Sequence, residues 1–101
     1  MSKTIRLTTA QALVRFLCAQ MTVIDGRKTP VFAGVWGIFG HGNVAGLGEA
    51  LYQVRDRLPT YRGQNEQSMA LSAIAYTKAT NRRRVMAATS SIGPGALNMV
   101  T

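Results

Sequence analysis

The side chains here that could move a proton, attack a carbon or ligate a metal near neutral pH are few. They are the four acids Asp25, Glu49, Asp56 and Glu66, the single histidine His41 and the single cysteine Cys18. Glu66 stands apart from the other acids, because it sits between Asn65 and Gln67 where a short β-prone run gives way to a long, mostly apolar helical pattern. Two roles suit such a carboxylate. It is a helix-start residue favoured by the helix dipole, or a carboxyl partly withdrawn from water that shares a hydrogen bond or a proton with a ligand. His41 cannot build a metal site alone. Cys18, flanked by Phe16, Leu17 and Ala19, reads as a small buried hydrophobe. A lone cysteine also excludes an intrachain disulfide framework and a cysteine-based zinc site.

The elements that must position these residues follow from periodicity. Thr8 and Gln11 have capping-box spacing, and Leu13, Phe16, Leu17 and Met21 recur at helical intervals, so a helix is expected over 8–21. "VIDGRKTP" is polar turn chemistry around Asp25-Gly26. "VFAGVWGIF", Val31 to Phe39, is a continuous apolar run of the kind found in strands covered on both faces. A second helix is expected over 47–57, closed by Pro59, then a strand over 60–64 and the long helix over 66–81. "RVMAAT", Arg84 to Thr89, gives a third apolar strand, and a Gly-Pro loop opens a last helix. The order α-β-α-β-α-β-α predicts an α/β fold, a parallel β-sheet flanked by helices in three layers, with ligands at the carboxyl ends of the strands. Glu66, His41 and the "TSSIGPG" loop all fall at such ends. The sequence stops in what reads as the first turns of a helix, without a terminating signal, so a fragment of a longer protein is expected.

Charge and glycine placement open further readings. Twelve Lys and Arg against four acids give a net charge of +8, which favours anionic partners. The basic residues are nonetheless scattered. The one run, Arg82-Arg83-Arg84, follows a helical pattern whose negative end suits cations, and it lacks the interleaved aromatics of a single-strand binder. No nucleic acid is expected as partner. No membrane is expected either, because Arg15 interrupts the best apolar stretch, and cytoplasm is the default location. "GHGNVAGLG", Gly40 to Gly48, lies between strand and helix as a dinucleotide-binding turn does, with Glu66 about twenty residues on. Its G-x-G-x-x-x-G spacing is a variant. A stand-alone nucleotide or small-ligand module built on this loop is therefore the alternative reading.

A resemblance adds to these readings. "NEQSMALSAIAYTKAT" followed by "VMAATSSIGPGALNMVT" resembles the amino-terminal, pyrimidine-binding domain of the thiamine-diphosphate enzymes related to acetohydroxyacid synthase. The similarity runs from Thr9 to Thr101, and its specific marks are the Glu-Gln pair and the Gly-Pro-Gly-x-x-Asn turn. "FAGVWGIFGHGNVAGLGEAL" with "YRGQNEQSMA" is most similar to the branch that hydrolyses a carbon–carbon bond of a cyclic dione in inositol breakdown. The resemblance implies that residues 1–101 are part of that pyrimidine-binding domain. It makes Glu66 the residue that hydrogen-bonds the aminopyrimidine ring and so makes its amino group basic. It places Gly37, Phe39, Thr89, Ser90, Ser91 and Gly93 around the cofactor, and His41, Asn43 and Gln67 towards a small-molecule substrate. Magnesium and the diphosphate belong to a Gly-Asp-Gly…Asn motif that these residues lack. The active site would lie between subunits of a homo-oligomer, a dimer or tetramer, NAD is associated with the branch, and the isolated chain is expected to be inactive. The sequence departs from the family at Asn65, where relatives often have His, at the inserted Ile92, and in "GIFGH", which replaces a Gly-x-Pro-Gly loop.

Overall fold

The structure, a computed structural model, describes residues 4–40 and 42–100. The first helix, α1 (Thr9–Ala19), starts as its capping box predicts: the Thr8 hydroxyl accepts from the Gln11 amide and the Gln11 side chain accepts from the Thr8 amide. Its inward stripe differs from the expected one. Val14 is buried, with Ala10, Leu17 and Cys18 packed behind it, while Leu13 and Phe16 face outward and Met21 lies beyond the helix. Two apolar stripes interleave on this helix, and the shape of its neighbours selects one. Cys18 is half-buried, not enclosed as expected.

A hairpin follows that the polar composition concealed. Strands β1 (Met21–Ile24) and β2 (Arg27–Pro30) pair antiparallel across Asp25-Gly26. Both turn residues have positive φ, 52° and 79°, the conformation that suits the twist of a two-residue hairpin. The turn was legible. Its flanking strands were not, because "RKTP" lacks alternating apolar residues.

Strands β3 (Phe32–Gly37), β4 (Thr60–Arg62) and β5 (Val85–Thr89) form the expected parallel sheet, in the order β4-β3-β5. On one face Val35 meets Val14, Ala50, Leu51, Val54 and Leu58 in a closed core. Ala50 and Leu51 come from α2 (Glu49–Gln53), which is much shorter than the expected span of 47–57. A π-helical turn, Val44–Gly48, precedes it, closed by a Gly48 amide to Asn43 carbonyl bond of 2.7 Å. Glycines at 46 and 48 weaken regular α-helix there, and the buried Val54 and Leu58 are presented from turns.

The other face is covered by α3 (Glu66–Ala79), against which α4 (Pro94–Val100) packs. There Trp36 lies 5.5 Å from Tyr61, ring centroid to centroid, and Met69 is buried. Helix α3 ends with Asn81 and Arg82 at φ 55° and 63°, the Arg82 amide donating to the Thr77 carbonyl at 2.7 Å. The arginine run thus lies just past the helix, as expected from its place after the helical pattern. Arg84 donates to the Pro30 carbonyl (3.0 Å) and the Tyr76 hydroxyl (3.4 Å), tying α3 to the hairpin. Among the described residues no helix is long and apolar enough to cross a membrane.

Candidate functional site

Register brings three strand ends level. Gly37 is opposite Arg62 on one side and opposite Thr89 on the other. The chains leaving these ends are laced together, the Ile38 amide donating to the Thr89 carbonyl (3.2 Å) and the Gly63 amide to the Gly37 carbonyl (3.3 Å). The Phe39 ring folds back over Gly37, where a Cβ would come within 2.7 Å of it. A side chain at 37 would expel that ring. After β5, the Ser90 hydroxyl donates to the Ser91 carbonyl at 2.9 Å, and the Ser91 side chain lies against Gly40. Gly93 takes φ 67°, and its carbonyl accepts from the Leu97 amide in the opening turn of α4.

Glu66 is held from two directions. Asn65, in extended conformation, caps α3 by accepting the Ser68 amide at 3.0 Å. Asparagine is among the strongest N-cap residues, which gives this departure from the family pattern a local reason. Glu66 is therefore the first residue of α3, at the carboxyl end of the sheet and half-buried. From α4, the Asn98 amide nitrogen donates to Glu66 Oε1 at 3.3 Å. Gly95 lies against the other oxygen, and a Cβ there would stand 2.9 Å from Oε2. Glu66, Pro94, Gly95, Leu97 and Asn98 line one open cleft.

Of the residues expected around the site, Gly37, Phe39, Thr89, Ser90 and Ser91 gather at the three strand ends. Asn43 and Gln67 are half-buried and are not among the residues lining the Glu66 cleft. His41 lies outside the described residues. Two cleft residues, Gly95 and Asn98, escaped the residue-level reading, although the Gly-Pro-Gly-x-x-Asn turn contained both. The glycine loop runs into the π-helical turn Val44–Gly48, which continues directly into α2, and the first turn of α2 carries Glu49. Among the described residues no group of three or more His, Cys, Asp or Glu comes together.

The chain is 58% identical over 98 residues to 3D-(3,5/4)-trihydroxycyclohexane-1,2-dione hydrolase of Geobacillus thermodenitrificans, covering 97% of this chain and 15% of the relative. The chain is homologous to a segment of these hydrolases. The same-named proteins of Shouchella clausii and Bacillus subtilis are 54% and 52% identical, over 99% of this chain and 16% of each relative. The chain thus spans about one-sixth of the length of the curated relatives it matches. No family model matches the chain, and no solved structure does.

Proposed function

We propose that this chain supplies the pyrimidine-facing half of an active site that hydrolyses a ring carbon–carbon bond in a polyhydroxylated cyclic 1,2-dione, with thiamine diphosphate as cofactor. The observation that carries the reading is Glu66 itself. It is an oriented carboxylate at the carboxyl end of a parallel sheet, where ligands of open α/β sheets bind. Its segment is more than half identical to the matching segment of proteins named for that substrate. The residues fit an aminopyrimidine: Gly95 sets no side chain of its own against Oε2, where a Cβ would crowd it, and Asn98 fixes the carboxylate through Oε1.

When bound, thiamine diphosphate supplies an electron sink for the carbon–carbon cleavage. Glu66 holds or releases a proton at the ring nitrogen it would face, and the surrounding groups keep it aimed. Asn98 restrains the carboxylate and, with Asn65 capping the helix beneath it, limits its rotation. Phe39 and the Ser90–Ser91 turn close the neighbouring wall. Magnesium and the diphosphate belong to residues outside this sequence, and a second subunit of a cytoplasmic homo-oligomer completes the site. The isolated chain is then inactive.

The test is a chimera in which these 101 residues replace the matching segment of the Bacillus subtilis hydrolase. We expect it to open the dione ring, and its Glu66→Gln variant to lose about 10²–10⁴-fold in kcat while folding normally, the range typical of a positioned acid–base group. Full activity in that variant would sink the assignment.

A further inference from the structure

A second cleft, of about 580 Å³, lies between α2 and the carboxyl end of β4. That volume is in the range of small-molecule sites. Its walls divide by chemistry. Phe39, Val44 and Tyr52 form an apolar surface, and Glu49, Gln53 and Arg62 bring hydrogen-bonding groups to it. Tyr52 is held in place because the Arg55 guanidinium stacks 3.9 Å from its ring centroid and donates to the Tyr52 carbonyl at 2.8 Å. Glu49 and Gln53 are four residues apart, one helical turn, and so share a face of α2. Arg62 comes from β4, and the single ion pair found among the described residues, Arg83 with Asp25, leaves both Arg62 and Glu49 without a salt-bridge partner.

We propose that this cleft binds a small hydroxylated carboxylate. Among the described residues of its wall Arg62 is the only cation, and it presents the donor fork that matches a carboxylate. Glu49 and Gln53 supply acceptors for hydroxyl groups, and Glu49 repels ligands that carry a second strong negative charge, such as phosphates. The choice of ligand rests on the reading of the preceding subsection. Hydrolysis of the bond between two adjacent ring carbonyls adds hydroxyl to one carbon, which becomes a carboxylic acid, and hydrogen to the other, which becomes an aldehyde. One water balances the step with no external oxidant, and the product is an open-chain hydroxylated carboxylate. Phe39 joins the two regions, because it lines this cleft while its ring covers Gly37 at the strand ends beside Glu66.

The experiment is a titration of the isotope-labelled 101-residue chain followed by amide NMR signals, with D-glucuronate as probe. Saturable shifts at Val44, Tyr52 and Arg62 are expected, with acetate and myo-inositol binding at least about tenfold more weakly, since each offers only half of the recognition. Arg62→Met should abolish the shifts, and Glu49→Gln should weaken them while leaving the spectrum otherwise intact. Acetate binding as tightly as glucuronate would reduce the cleft to an anion contact, and equal binding of myo-inositol would remove the role of Arg62. Either result overturns the proposal, as does the absence of saturable shifts. Glu66→Gln should leave the titration unchanged, so failure here and failure of the Glu66 assignment are separately visible.

Discussion

The two faces of the sheet are built differently. On the α1–α2 face, Val14, Val35, Leu51 and Leu58 are essentially sealed, Leu51 at 1% exposure, and they touch one another across three elements. On the α3–α4 face Met69 is the only enclosed side chain among the described residues, at 2%, while Leu71, Leu97 and Val100 are 58%, 70% and 83% exposed. The Trp36 indole N–H, on that same face, is buried without a hydrogen-bond partner among the described residues. The first face concentrates the packing that resists unfolding. The second spends little on packing and carries the oriented carboxylate. Regions with few enclosed side chains are commonly drawn from the less stable end of a structure, and here that division falls along the plane of the sheet.

The sharpest way to break this comparison is a matched pair of truncations. Leu51→Ala should cost about 2–5 kcal/mol in urea unfolding, the range for an enclosed leucine. Leu71→Ala should stay within about 0.5 kcal/mol, as exposed positions do. Equal costs would mean that the α3–α4 face is as well packed as the other. Next in size are the two helix caps, one on each face. Thr8→Ala and Asn65→Ala should each cost about 0.5–2 kcal/mol. The second should in addition shift the NMR signals of Asn98, because Asn65 fixes the turn that presents Glu66.

Gly95→Ala tests the site with a smaller effect on the fold. The added methyl must displace the Glu66 carboxylate, so the Asn98 side-chain amide signals should move while the melting temperature changes by only a few degrees. Unmoved Asn98 signals would show that Glu66 has another resting place. The smallest effect is expected at the hairpin, where Arg83 and Asp25 lie 3.9 Å apart and largely exposed. Asp25→Asn should leave stability within about 0.5 kcal/mol, as exposed ion pairs contribute little.

Residues whose structural role depends on near neighbours were readable from sequence. The Thr8–Gln11 box, the Asp25-Gly26 turn and Glu66 at the head of α3 each depend on partners within a few positions, and a short spacing rule captures them. The element order also gave the parallel α/β class. What escaped needed neighbours distant in the chain. Leu13 and Phe16 are as apolar and as periodic as Val14 and Leu17, and only the position of α2 and β3 decides which stripe turns inward. The hairpin strands are too polar to announce themselves, and two glycines shorten α2 against its apolar pattern.

The sequence by itself determined that a single acid opens a helix at a strand end, because helix capping and strand-to-helix punctuation are local chemistry. Only the tertiary structure decided what that acid meets. Asn98 is 32 positions away from Glu66, and Gly95 and Arg62 acquire their roles through the level ends of β3, β4 and β5. Those contacts are set by inter-strand register and by helices packing on opposite faces of one sheet. Pairings of that kind carry no period that a single chain can display.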